Sequence, residues 1–200
     1  MAATESAPAR SHVRIVGVDH VAIPSRDPYA AACFYTAVLG AELVHETRHR
    51  SLFLGVKPCD SFMFDLFERG DEEVAADRGI IHHAFSIRAA DTRSWIERLE
   101  YWRVPFFANP RRGNISIYFM DVDGNRLELY CGELPDEIAQ QIPAGLYRPD
   151  GSLEPGNKNT LSESDQHPHN DHWPSPDRAA EANQRFQDEL GRVRAGLSAR

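Results

Sequence analysis

Two pairs of polar residues recur at nearly the same interval within apolar segments of the sequence. His20 in "VDHVAI" and His82 in "IIHHAFSI" lie 62 residues apart, and Asp65 in "MFDLF" and Glu128 in "RLELY" lie 63 residues apart. Polar side chains in buried strands need a compensating partner, and a divalent metal ion suits a mixture of imidazole and carboxylate ligands. We therefore predict that His20, His82 and Glu128 bind a metal and leave coordination positions open for a substrate. Asp65 is predicted to be either a fourth ligand or a catalytic group beside the metal.

The strand register distinguishes His82 from its neighbour His83. Side chains alternate between the two faces of a strand. When "DHVAI" is aligned with "HHAFSI" on the shared alanine, His82 matches His20. His82 is therefore expected on the side of the metal, and His83 on the opposite side, against a helix or partly exposed.

The elements that must position these residues occur twice along the chain. The first set is a strand around His20, a helix opened by Asp27 and ended by Gly40, and three short strands. The second set is the strand "GIIHHAFSI", a helix capped by Asp91, and again three strands, the last two joined by the turn "DVDGN". Internal repetition is strong evidence for a duplicated fold. We predict an α+β fold in which two paired β-α-β-β-β modules form a cupped mixed sheet around a metal site.

The domain boundaries follow from this repeat and from a shift in composition. The modules span residues 13–69 and 79–134 and form one domain, residues 13–134. Residues 135–174, rich in Pro, Gly, Asn, Asp and Ser, are expected to be an extended linker or tail, and residues 175–198 a terminal helix that docks on the domain or on a second subunit. The segment 135–174 contains three histidines, His167, His169 and His172. Histidine-rich tracts can bind metal, and here we expect a disordered tail that binds metal only adventitiously.

Composition argues against several classes of protein. The 200 residues carry a formal charge of −8, whereas proteins that bind nucleic acids usually have a basic face. No apolar run approaches the roughly 20 residues that span a bilayer, and the N-terminus lacks the apolar core of a signal peptide. The three cysteines have no CxxC spacing, which favours free thiols. We expect a cytoplasmic protein with neither a nucleic-acid partner nor a membrane partner.

The segments around His20, His82 and Glu128, with "FYTAVLGAEL" and the doubled module order, resemble the vicinal oxygen chelate superfamily. This group includes glyoxalase I, bleomycin-resistance proteins, fosfomycin-resistance thiol transferases, methylmalonyl-CoA epimerases and extradiol dioxygenases. The resemblance covers about residues 13–134. It implies a metal that binds two neighbouring oxygens, or one oxygen and a neighbouring group, of a small substrate. We also expect a homodimer. The modules could pair within one chain or exchange between two.

The main functional hypothesis comes from the resemblance to ring-cleaving dioxygenases. The segment "IYFMDVDGNRLE" places Tyr118 and Glu128 at the spacing of their signature. Two histidines and one carboxylate suit non-haem iron, so the resemblance implies Fe(II)-dependent oxidation of a catechol-like substrate or another bidentate oxygen substrate. Tyr118 would hydrogen-bond the substrate. The histidine that precedes this signature in those enzymes is missing, and Arg111 and Arg112 stand there instead.

Other members of the superfamily provide the alternatives. The second half resembles fosfomycin-resistance thiol transferases, although Glu137 lies near the place where those enzymes carry an arginine for the phosphonate. A glyoxalase-like or epimerase-like isomerase would use Asp65 as a metal ligand. For these reactions Mn(II), Ni(II), Zn(II) or Mg(II) would replace iron. The remaining alternative is a metal-free protein that sequesters a toxic ligand.

Aromatic residues near the metal motif suggest the type of substrate. Phe64 and Phe107 lie on strands that would line or support the cup, and Arg111 lies in the loop before the strand of Tyr118. Arginine can clamp a carboxylate or a phenolate. We predict that Phe64, Phe107 and Arg111 bind a small aromatic or apolar substrate.

Overall fold

The structure is a computed structural model that describes residues 18–48, 51–56, 59–70 and 82–198. Its first sheet has the strand order β1-β4-β3-β2, with β1 parallel to β4. Its second sheet has the order β10-β9-β6-β7-β8-β5, with β5 parallel to β8. The strands are β1 (His20–Ser25), β2 (Glu42–Glu46), β3 (Leu52–Val56), β4 (Cys59–Glu68), β5 (His83–Ser86), β6 (Phe106–Arg111), β7 (Gly113–Met120), β8 (Arg126–Leu134), β9 (Gly145–Tyr147) and β10 (Leu153–Pro155).

Five α-helices accompany the sheets in the described part of the chain, and none of them is long and apolar enough to cross a membrane. They are α1 (Pro28–Leu39), α2 (Thr92–Tyr101), α3 (Asp136–Ala139), α4 (Glu163–Gln166) and α5 (Ala179–Ser198). The predicted ends of α1 are confirmed. The carboxylate of Asp27 accepts hydrogen bonds from the first backbone amides of α1, and Gly40 ends the helix with a left-handed φ of 69°.

The α+β fold of two β-α-β-β-β modules is confirmed, with one difference in the sheets. The modules form two sheets in the described residues instead of one continuous sheet, with β1 and β5 as the outer strands of their respective sheets. One face of each sheet packs on the helices, and Phe34, Tyr35 and Phe119 belong to this buried core. Residues 13–17 and 79–81 of the predicted modules lie outside the described residues.

The turn between β7 and β8 ties the second module to the first. Asp121 accepts a hydrogen bond from the hydroxyl of Tyr35 at 3.1 Å, and Asp123 accepts one from the hydroxyl of Ser25 at 2.5 Å. The side-chain amide of Asn125 donates to the carbonyl of Pro24 at 3.1 Å. These contacts hold the end of β1 against the second module, so they set the position of the strand that carries His20.

The segment 135–174, which we expected to be extended, is instead folded against both modules. β9 pairs with β6, and β10 pairs with β9. Farther along, Trp173 packs edge-on against Phe34, with ring centroids 5.2 Å apart. The composition is misleading because a few anchors such as Leu146 and Trp173 are spaced among many polar residues, and a local average hides them.

The terminal helix begins later than predicted and docks on the domain. α5 starts at Ala179 rather than at residue 175. Its buried residues Ala182, Phe186 and Leu190 face α1 and β2. Of the two docking sites left open by the sequence, the structure therefore shows the domain of the same chain.

Candidate metal centre

His82 and Glu128 lie in contact on the open face of the second sheet. Ala84 pairs with Glu128 across β5 and β8, which places His82, two residues before Ala84, on the same face. Nε2 of His82 is 2.9 Å from Oε2 of Glu128. The Glu128 side chain is only 8% exposed, and that of His82 is 36% exposed. A buried carboxylate beside an imidazole is a pair of donors that a divalent metal can use.

Tyr118 lies next to both residues of this pair, on the same face of the second sheet. It pairs with Glu128 across β7 and β8, and its ring meets the His82 ring edge-on at 6.0 Å. Burial raises the pKa of the Tyr118 hydroxyl, and the neighbouring Glu128 adds to the rise. The phenol is therefore protonated at neutral pH and can donate a hydrogen bond.

His20 and Asp65 form a second group, on the open face of the first sheet. Ala22 pairs with Asp65 across β1 and β4, so His20 and Asp65 share a face. Nδ1 of His20 lies 2.8 Å from Asp19, and its ring is edge-on to Phe53 at 5.7 Å. Burial raises the pKa of Asp65, whereas His20 and a hydrogen bond with Ser51 act in the opposite direction.

The two groups do not meet within one chain. Among the described residues, no three His, Cys, Asp or Glu side chains are close enough to hold one metal ion. His20 is carried by the outer strand of the first sheet, whereas His82 precedes the outer strand of the second sheet. The three predicted ligands are therefore divided between two separate groups, one with His20 and Asp65 and one with His82 and Glu128, which we call half-sites.

The predicted substrate-binding residues occupy three different environments. Arg111 is exposed at the end of β6, and its positive charge acts to lower the pKa of the Tyr118 hydroxyl. Phe107 is fully buried beside Tyr118, with the two rings nearly parallel and 6.4 Å apart. Phe64 is wrongly predicted, because strand alternation places it opposite Asp65. It is fully buried in the core between Tyr35 and Phe85, with ring centroids at 4.7 and 5.3 Å.

His167 also lies beside Tyr118, although the sequence does not single it out as a candidate site residue. Its ring meets the Tyr118 ring edge-on at 5.6 Å. Burial, then the charges of Arg126 and His82, lower the pKa of His167 to about 4. His169 and His172 are exposed. No local pattern distinguishes His167 from these two histidines, because only the path of the folded tail selects it.

Comparisons with known proteins agree with this architecture. The metallothiol transferase FosB of Staphylococcus epidermidis is 28% identical over 130 residues, which are 63% of this chain and 89% of that protein. The crystal structure of the fosfomycin resistance protein FosX from Listeria monocytogenes is 26% identical with a TM-score of 0.52, and the match covers 63% of this chain and 99% of that one. FosX from Mesorhizobium loti is 25% identical with a TM-score of 0.50, over 62% and 99% of the two chains.

The tail after the second module lies beyond the matched family region. A family model matches residues 17–129, more than half of the chain. This region contains both half-sites, whereas His167 lies outside it. The chain belongs to the Glyoxalase/Bleomycin resistance protein/Dioxygenase superfamily.

Proposed function

We propose that this protein is a divalent-metal-dependent enzyme that promotes attack by a thiol on a carbon of a small epoxide. In this step a C–S bond forms, the C–O bond of the epoxide breaks, and the thiol proton passes to the ring oxygen. The observation that carries the proposal is the contact between His82 and the buried Glu128 beside Tyr118. The similarity to proteins named as a metallothiol transferase and as fosfomycin resistance proteins supports the transferase over the iron dioxygenase. Neither relative's name refers to iron or oxygen chemistry.

The residues of the half-site fit a divalent metal. Glu128 is buried, and the imidazole of His82 lies beside it, so one oxygen donor and one nitrogen donor are already adjacent for an ion. One nitrogen and one oxygen ligand accommodate Mn(II), Fe(II) or Zn(II), and Fe(II) is one member of this set. A bound ion would polarise a substrate oxygen as a Lewis acid.

A second copy of the chain would supply the remaining ligand. Neither half-site in one chain has three ligands within the described residues. β1 and β5 are outer strands, so the half-site with His20 can approach the half-site with His82 of another copy. In this arrangement a homodimer contains two complete sites, each with Asp65 beside His20.

The other side chains of the site orient the substrate. Tyr118 carries a protonated hydroxyl that donates a hydrogen bond to a substrate oxygen. Phe107 packs beside the Tyr118 ring and restricts its rotation. Arg111 lies at the rim, where its charge favours an anionic group on the substrate. Because Phe107 is fully buried and Phe64 belongs to the core, neither favours an aromatic substrate.

The test combines metal analysis with two activity assays. Protein purified without chelators should contain a divalent metal, and Glu128→Gln should lose it. Small epoxides with and without an anionic group, including fosfomycin, are then incubated with Mn²⁺ and cysteine or glutathione. We expect metal-dependent loss of thiol with at least one epoxide. Iron in the protein, oxygen uptake with a catechol and no thiol consumption would overturn the proposal in favour of the dioxygenase. Absence of metal would favour the sequestering protein.

A further inference from the structure

The tail, residues 135–174, passes over the open face of the second sheet at the metal centre. α4 lies against β6, and His167 follows α4 directly. The rings of His167 and His82 both meet the Tyr118 ring edge-on, at 5.6 and 6.0 Å. The tail therefore adds a side chain to the same face that carries Glu128.

The tail is held in this position on both sides of His167. On one side, the side-chain amide of Gln166 donates to the carbonyls of Lys158 and Leu161, at 3.1 and 3.0 Å. On the other side, the amide of Asn170 donates to the carbonyl of Met120 at 3.3 Å. The bonds of Gln166 brace the tail internally, and the bond of Asn170 ties it to β7.

Two polar atoms beside Tyr118 are buried without a hydrogen-bond partner in the described part of the chain. They are Nδ1 of His167 and Nε of Arg126. Arg126 pairs with Met120 across β8 and β7, and the carbonyl of Met120 is the group that holds Asn170, three residues after His167. The charge of Arg126 also acts to lower the pKa of His167. An unsatisfied buried polar atom costs about 1–3 kcal/mol, so a bound group that satisfied both atoms at once would be stabilised there.

The chemistry of these atoms defines the group that would satisfy them. Nε of arginine is always a donor, and Nδ1 of a neutral histidine is a donor in one of its tautomers. The arginine charge favours an anion, and an oxyanion accepts several N–H groups at once. The negative charge of Glu163, in the tail, stabilises the charged form of Arg126. A metal bound at Glu128 would offset the negative charge of the Glu128 carboxylate, which would otherwise repel an anion.

We propose that His167 and Arg126 form an oxyanion subsite of the metal centre, with His167 supplied by the tail. The inference rests on the proposed function in placing a metal at His82 and Glu128. The subsite binds the carboxylate or the phosphorus oxyacid group of the substrate, and the tail thereby contributes to specificity. His167 lies outside the region matched by the family model, so this contribution is particular to chains that carry such a tail.

The test uses inorganic phosphate as the probe on the full chain, with and without Mn²⁺. His167→Phe keeps a ring against Tyr118 and removes both nitrogens, and Arg126→Met removes the charge. Each variant should weaken phosphate binding by about tenfold, whereas affinity for Mn²⁺ should stay within about twofold. His172→Ala, an exposed histidine of the same tail, is the matched control and should bind phosphate as the original chain does. His167→Gln retains a donor and should restore part of the affinity.

The outcomes separate this inference from the proposed function. Unchanged phosphate binding in His167→Phe overturns the subsite, and so does phosphate binding that is lost in Arg126→Met alone. Loss of Mn²⁺ binding in His167→Phe also overturns it, because His167 would then be a metal ligand. If the original chain binds no Mn²⁺ but binds phosphate through His167, the subsite stands and the metal-dependent function fails.

Discussion

Asp121 provides a quantitative test of how the two modules are joined. The residue is 1% exposed, and it accepts hydrogen bonds from the hydroxyl of Tyr35 and from both the backbone and side chain of Asn125. Burial is the main reason that its pKa rises from an ordinary 3.8 to about 6, and Asp123 adds to the rise. Between pH 3.8 and about pH 6, the folded protein therefore keeps a proton on Asp121 that the unfolded chain has already released.

This difference makes stability fall as the pH increases. Because the folded state holds more protons across the window, the contribution of Asp121 is present at low pH and is lost as the pH rises through about 6. Between pH 4 and pH 7 the loss amounts to about 2 kcal/mol, from 1.36 kcal/mol per pKa unit. In Asp121→Asn the side chain has the same shape and cannot titrate. The variant therefore lacks the pH-dependent contribution of Asp121 to the free energy of unfolding. The free energy of unfolding of the original chain, relative to the variant, should therefore decrease by about 2 kcal/mol over this range.

Urea unfolding followed by tryptophan fluorescence measures this difference. The protomer concentration must be the same throughout, since association would change the apparent stability. Asp188→Asn, at an exposed position of α5, is the control and should show a pH profile parallel to that of the original chain. If the Asp121→Asn profile is also parallel, Asp121 is ionised in the folded protein and our account of this buried junction is wrong.

Three further predictions concern the site and the packing around it. His82→Ala should weaken Mn²⁺ binding by more than about 100-fold, whereas His83→Ala should change it little, as measured by electron paramagnetic resonance; equal losses would contradict the register. Arg98→Met removes two hydrogen bonds of 2.6 Å to the last carbonyls of α1 and should lower the free energy of unfolding by about 2 kcal/mol in urea, without affecting Mn²⁺ affinity. Trp173→Ala should cost about 2–4 kcal/mol and increase hydrogen exchange in the tail, because it removes the contact with Phe34; unchanged exchange would mean that the tail does not depend on this anchor.

The repeat made the modules predictable from the sequence. Strand alternation and helix caps are local, so α1 could be bounded from Asp27 and Gly40 alone. The pairing of β5 with β8 follows from the repeat as well, and it brings His82 to Glu128. Phe64 shows why residue type alone does not identify a substrate-binding residue. Asp65 faces the site, so its neighbour Phe64 points to the other face of the strand and belongs to the core.

The tail and the separation of the ligands could not be predicted in the same way. His167 reaches Tyr118 because β9 pairs with β6 and because Asn170 is bonded to β7, and both contacts join residues far apart in the chain. The separation of His20 from His82 depends on how whole sheets pack, which no residue pattern records. Sequence matching of the two halves shows which residues are equivalent, and it does not show whether they belong to one site in the same molecule.

Mixing two inactive variants tests the central claim most directly. His20→Ala and Glu128→Ala should each bind Mn²⁺ poorly as pure proteins. When they are refolded together with distinct tags, random pairing should restore about one quarter of the original Mn²⁺ sites, because half of the dimers are mixed and each mixed dimer has one intact site. Recovery of that fraction is the result that we predict. Mixed dimers that bind no Mn²⁺, or a His20→Ala protein that binds it as tightly as the original chain, would contradict a metal site shared between two copies.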